Sequence, residues 1–327
     1  MKKLIFIFLL FSLFLFQETF SGSLRAVSAK DFPSKNIKWI VPYKPGGGFD
    51  TYSRAIARTM KKYLPKGINV IVINKPVAAG QVAASLIYKS KPDGYTIGIL
   101  PMPGLFVPQM FHKTHYDVKK MTWLGTILNE SMVFALAASS KFKSLKDVQQ
   151  ADTFRICGTG FTGPEIVAPI TMETLGIKTK FIIGHQSSGE AYLAAMRGDG
   201  DAIIFSYGST RKHLHSKKFK GLFLLGTDKR KDEFPDMPTA IELGYPKLGQ
   251  LGTWRVVGAP PQLQKGPKKY LNDILMKTMN DPGFQQWSKK SKRPVSPMDG
   301  KTTTKKLMDL VNLYDKDYRE LLMKYIK

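Results

Sequence analysis

Cysteine is nearly missing from this chain. Cys157 is the only one in 327 residues, so no internal disulfide can form. Acidic side chains are scarce as well: 25 Asp and Glu stand against 50 Lys and Arg, for a net charge of +25. Histidine is limited to five residues, four of them in the short-spaced pairs His112/His115 and His213/His215. The second pair sits in Arg211-Lys212-His213-Leu214-His215-Ser216-Lys217-Lys218, whose field repels a cation, so no metal site is expected. The nucleophile elbow Gly-x-Ser-x-Gly does not occur. Cys157 closes an apolar run and reads as small core filler rather than a nucleophile. Neither a catalytic residue nor a cofactor is assigned, and the chain is not read as an enzyme. Internal repeats and low-complexity segments are also lacking.

Only one stretch is strongly apolar. Lys2 and Lys3 precede residues 4–16, which are apolar but for Ser12, and a polar stretch then ends in Val27-Ser28-Ala29. A basic start, a short apolar run and small residues at the cut make a signal peptide the expectation over 1–29. The run falls well short of the ~20 residues needed to span a bilayer. With no cysteine after it to carry lipid, the remainder is expected to be soluble in the periplasm. The basic excess is scattered in pairs such as Lys61-Lys62, Lys119-Lys120 and Lys289-Lys290, and no nucleic-acid motif accompanies it. No nucleic-acid partner is therefore expected. The summed field favours small anions near the protein.

From residue 36 onward, β-rich runs alternate with helical patterns. Strands are expected at 37–41, 69–73 and 96–100, with helices at 51–63 and 80–90, which points to a mostly parallel sheet covered by helices. After an apolar run at 132–138 the pattern restarts. It gives a short helix at 144–149, strands at 154–157, 180–183 and 202–205, and helices at 165–175 and 189–197. Further strands are expected at 221–226 and 253–257. Two C-terminal helices, near 268–280 and 303–325, lack a core of their own and should return to cover the first sheet. The expectation is a discontinuous first domain over 30–131 and 252–327, an inserted second domain over 132–251, and a cleft between them. A monomer is the default.

Four loops of small residues follow strands. The first is Pro42-Tyr43-Lys44-Pro45-Gly46-Gly47-Gly48-Phe49-Asp50, just ahead of a helix start that offers unpaired N–H groups to an anion, with Asp50 placed to cap it. The second is Asn74-Lys75-Pro76-Val77-Ala78-Ala79-Gly80-Gln81. The third is Gly158-Thr159-Gly160-Phe161-Thr162-Gly163-Pro164, and the fourth is Gly184-His185-Gln186-Ser187-Ser188-Gly189. Ligands of open α/β sheets bind at the carboxyl ends of strands, where all four lie.

These motifs resemble a known family. Pro-x-x-Pro-Gly-Gly-Gly-x-Asp, Asn-x-Pro-x-Ala-x-Gly and Pro92-Asp93-Gly94-Tyr95-Thr96 are similar to the signature of the Bug (TctC-type) substrate-binding proteins of tripartite tricarboxylate transporters. The likeness continues through Gly-Thr-Gly-x-Thr-Gly at 158–163 and Arg197-Gly198-Asp199-Gly200-Asp201. It extends through Phe234-Pro235-Asp236-Met237-Pro238-Thr239 and Glu242-Leu243-Gly244 to Trp254 ahead of Ala259-Pro260. The resemblance implies a two-domain α/β Venus-flytrap of the type II periplasmic-binding-protein kind. It implies a small carboxylate ligand held largely by backbone N–H groups and water, with membrane transporter subunits as partners. Carried onto this chain, Gly47, Gly48 and Asp50 form one jaw with Ala79, Gly80 and Gln81 beside it. Gly160, Thr162 and Gly163 form the other, flanked by His185, Gln186 and Ser187.

Two departures bear on the ligand. Val77-Ala78-Ala79-Gly80-Gln81 replaces a more glycine-rich family loop, and His185 stands where tyrosine is common. That histidine is either a source of charge or a donor, or a ring with an ordinary partner. The alternative function is an exported dinucleotide-binding oxidoreductase, because Gly158-x-Gly160-x-x-Gly163 matches GxGxxG. The acid that this pattern needs ~20 residues on is missing from Ile182-Ile183-Gly184-His185.

Overall fold

The computed structural model describes residues 32–160, 166–185 and 187–326. The expected leader at 1–29 lies outside them. No helix among the described residues is long and apolar enough to cross a membrane.

The chain opens β1 (Ile37–Val41), α1 (Gly48–Met60), β2 (Val70–Asn74), α2 (Gln81–Tyr88) and β3 (Thr96–Met102). α1 starts at Gly48, earlier than expected, because Phe49, Tyr52, Ala55, Ile56 and Met60 bury one continuous stripe at helical spacing. Several elements were not anticipated, the first two being α3 (Phe106–Phe111) and β4 (Thr122–Glu130). β4 is buried nearly throughout, so it lacks the alternation that marks a strand, and Gly125 interrupts its apolar run. One residue, Ser131, separates β4 from β5 (Met132–Ala137).

Next come α4 (Leu145–Gln149), capped by Ser144, then β6 (Phe154–Cys157), α5 (Val167–Thr174) and β7 (Thr179–Ile182). The inserted half ends with α6 (Ser188–Arg197), β8 (Ala202–Ser206), α7 (Tyr207–His215) and β9 (Phe219–Leu225). The chain then returns through β10 (Thr253–Ala259), α8 (Lys265–Met279), α9 (Pro282–Lys290), β11 (Met298–Asp299) and α10 (Gly300–Leu313). A π-helical turn (Tyr314–Tyr318) leads into α11 (Arg319–Met323).

Two sheets result. One has the order β11-β4-β10-β3-β1-β2 and the other β7-β6-β8-β5-β9. The first is mixed rather than mostly parallel: β1 runs parallel to β2 and β3, whereas β10 is antiparallel to both β3 and β4. The reason is topological, since β4 and β10 are the strands by which the chain leaves the first sheet and comes back to it. In the second sheet β6 is parallel to β7 and β8, and β5 lies antiparallel between β8 and β9. The two crossings touch. A Cβ on Gly226 would lie 2.5 Å from the Gly252 Cα, and one on Gly252 would lie 2.5 Å from the Asn129 Oδ1.

α8 and α10 pack on β4, so the C-terminal helices do cover the first sheet. α11 goes further and packs on α5 beside the second sheet, where the Tyr325 hydroxyl donates to Glu173 at 2.8 Å. Cys157 is fully buried at the end of β6, and burial pushes its thiol up to about 11.

Asp281 joins α9 to the end of α1. It accepts hydrogen bonds from the Gly283 and Phe284 N–H groups, from the Tyr63 hydroxyl and from Lys62. Tyr63 and Lys62 hold its carboxyl down to about 2, from an ordinary 3.8. Its stabilising effect is therefore complete above the ordinary value and disappears as pH falls toward the depressed one. Urea midpoints measured against pH should drop across this interval, and Asp281→Asn should flatten that part of the curve.

Candidate functional site

β1 and β2 are parallel neighbours, so the turns at 42–50 and 74–81 leave one edge of the first sheet together. β6 and β7 do the same for the chain beyond Cys157 and Ile182. Between these edges lies a cavity of about 560 Å³. Gly48 and Tyr52 of α1 line one side, and Ser188 and Gly189 at the start of α6 line the other. The first and fourth loops read from the sequence thus face the same space.

The first turn is braced by Asp50, although not as an N-cap. Gly47 holds that position without a side-chain bond, and Asp50 reaches back to accept the Gly46 N–H at 2.9 Å. Its carboxylate also accepts from Arg54 and from the Asn74 Nδ2, at 3.0 Å each. Asn74 in turn donates to the Tyr43 carbonyl at 2.9 Å, tying the first turn to the second. Burial pushes the Asp50 carboxyl up, but hydrogen bonds from Arg54, Gly46 and Asn74 together hold it below the usual range. Gly80 completes the brace, since its φ is +95° and a Cβ there would sit 3.0 Å from the Pro42 side chain.

Gly80 stands beside the first turn, with the Ala79 and Gln81 backbone on either side of it, and neither Gly80 nor Gln81 is among the described residues that line the cavity. Gly160 has φ +149° with no described atom within 4 Å of where its Cβ would sit, and Ser187 caps α6 by accepting the Glu190 N–H at 3.3 Å. The His185 Nε2 is shielded from solvent without a hydrogen-bond partner among the described residues. Thr162, Gly163 and Gln186 lie outside the described residues.

Much of the remaining wall is cationic, which the sequence reading did not find. Arg255 on β10 donates to Glu130 at 2.5 Å and lies over the Phe49 and Tyr52 rings, 5.0 and 5.3 Å from their centroids. Glu130 also accepts the Gly208 N–H of α7 at 2.9 Å, so one carboxylate touches both sides of the cleft. Arg293, Lys292, Arg211 and Lys212 complete the basic lining. Arg211 is clasped by Glu233, whose carboxyl it holds down to about 2. Burial pushes the Tyr52 phenol up to about 12, and it donates to the Pro294 carbonyl at 2.6 Å. The available signal was one arginine inside the otherwise apolar strand Thr253–Ala259.

With this geometry in place, comparison with known proteins is decisive. Residues 52–316 match the tripartite tricarboxylate transporter family receptor, TctC. The chain belongs to this family. Protein BugT of Bordetella pertussis is 28% identical over 270 residues, covering 78% of this receptor and 81% of BugT. A TctC solute binding protein from Polaromonas superposes with a TM-score of 0.73 at 22% identity, over 90% of the receptor and 99% of that chain. MatC from Rhodopseudomonas palustris, solved with bound malate, gives 0.70 at 20% identity over 89% and 100%. The receptor shares their two-domain α/β Venus-flytrap fold. The oxidoreductase alternative is set aside: the matched family is one of receptors, and β7 runs into Ile183-Gly184-His185 without the required acid.

Several motif blocks of the receptor serve the fold rather than a ligand. Asp201 takes a two-pronged hydrogen bond from Arg155, and the Asp199 carbonyl accepts a third. Glu242 accepts from Arg230 and from the Thr239 N–H, closing the loop that holds Phe234-Pro235-Asp236-Met237-Pro238.

Proposed function

We propose that this receptor works in the periplasm, captures a small carboxylate between its two halves and delivers it to the membrane subunits of a tripartite tricarboxylate transporter. The observation that carries the reading is one basic cavity onto which two helix starts, at Gly48 and Ser188, both open. Helix N-termini and arginines both favour a negative guest. MatC, of the same fold, holds malate. Gly47 and Gly48 supply amides from one jaw, with Asp50 as the brace behind them and Ala79, Gly80 and Gln81 as lateral support. Gly160, Thr162 and Gly163 supply the other jaw, and His185, Gln186 and Ser187 flank it.

The proposed halves are 30–131 with 252–327, and 132–251, after loss of a leader at 1–29. Closure turns about the adjoining crossings at Ser131 and at Gly226/Gly252. A ligand that touches both halves favours the closed form by its differential affinity. The receptor acts as a monomer.

A thermal-shift screen of small carboxylates, with mass spectrometry of acids released on heating, tests this. A ligand at a hundredfold its Kd stabilises by ~2.7 kcal/mol, a rise of several degrees. No shift with any carboxylate and no released acid would overturn the proposal.

A further inference from the structure

The charge lining the cavity is unevenly compensated. Arg255 has Glu130 and Arg211 has Glu233, whereas Arg293, Lys292 and Lys212 have no ion-pair partner among the described residues. The Arg293 guanidinium approaches the start of α1, 3.8 Å from where a Gly48 Cβ would sit. It is carried by the segment after α9, which Tyr52 pins to the first half through the Pro294 carbonyl. Lys212 comes from α7 in the other half and lines the same cavity. A cation without an ion-pair partner among the described residues therefore lines one space from each side, Arg293 half-buried and Lys212 exposed. Bringing them together repels, and the repulsion strengthens as closure removes water and lowers the dielectric. A guest with a single anionic end satisfies one of them and leaves the other opposed.

We propose that Arg293 and Lys212 form a split clamp that sets selectivity: the cleft closes tightly only on a molecule with an anionic group at each end. Backbone amides alone could not impose this requirement, because they carry no net charge to be neutralised. The inference rests on the carboxylate reading above and adds side-chain recognition to it.

Calorimetric titration of the purified receptor with succinate, glutarate and adipate, each paired with its monomethyl ester, tests it. The esters keep length and one carboxylate and remove the second charge. At least one diacid should bind about tenfold or more tighter than its ester, a difference of one decade in Kd. Arg293→Gln and Lys212→Gln should each reduce that ratio to near one, chiefly by weakening the diacid. Neither side chain holds an ion pair among the described residues, so unchanged melting temperatures verify that both variants fold. Equal binding of diacids and esters by the wild type would overturn the clamp and leave the carboxylate reading standing. So would variants that keep the preference. If diacids, esters and simple monocarboxylates all fail to bind, the clamp and the carboxylate reading fall together.

Discussion

Replacing Arg255 by leucine is expected to lower the unfolding free energy by about 3–5 kcal/mol, the usual effect of removing one partner from a buried ion pair. Glu130 is 8% exposed, and without Arg255 its carboxylate keeps the Gly208 N–H as its one hydrogen-bond donor among the described residues, with Lys231 as a countercharge that makes no ion pair with it. The rings of Phe49 and Tyr52 lose the guanidinium between them at the same time. Adding Glu130→Gln to the leucine variant should restore much of the loss, because a neutral amide still accepts from Gly208 and no buried charge is stranded. Urea unfolding of the two variants checks this. A loss under ~1 kcal/mol for the single variant would mean that Glu130 behaves as a surface carboxylate.

Gly48→Phe should abolish ligand binding, with affinity falling more than about a hundredfold, or two decades in Kd. The melting temperature should change little. The backbone at Gly48 does not need glycine: its φ is not positive, and a Cβ would meet the end of Arg255 at 3.4 Å, an ordinary contact. Gly48→Ala should thus be nearly silent, while a ring at the same place fills the cavity between the jaws. Gly160→Leu should also weaken binding, for a different reason. No described atom crowds a Cβ there, but φ +149° strains any side chain. Titration calorimetry with whichever carboxylate the thermal screen returns gives the affinities, and circular dichroism follows the fold. Full affinity in Gly48→Phe would remove α1 from the site.

The sequence made the repeating order of strands and helices legible because most elements carry ordinary periodicity and turn punctuation. β1, β6 and β7 fall at or within one residue of their expected places. β4 was not legible, since a strand buried on both faces has no alternation to read. The start of α1 was displaced by the burial of Phe49 rather than by any local signal. Within the site, the loops could be seen because glycine-rich turns between strand and helix are written in neighbouring residues. The basic wall could not. Arg255, Arg293 and Lys212 come from three distant segments, and a lysine-rich chain offers no means of telling a lining cation from a solvated one. Asp50 shows the opposite limit. It stands in the most informative turn, yet its bonds all run into the protein, to Gly46, Arg54 and Asn74.

The solitary thiol at Cys157 has a practical use. It is buried and its ionisation is pushed up to about 11, so maleimide chemistry near neutral pH will pass it by. Fluorophores on cysteines engineered at either rim could then report jaw movement in the native background, making the receptor a ready scaffold for an optical sensor of its own cargo.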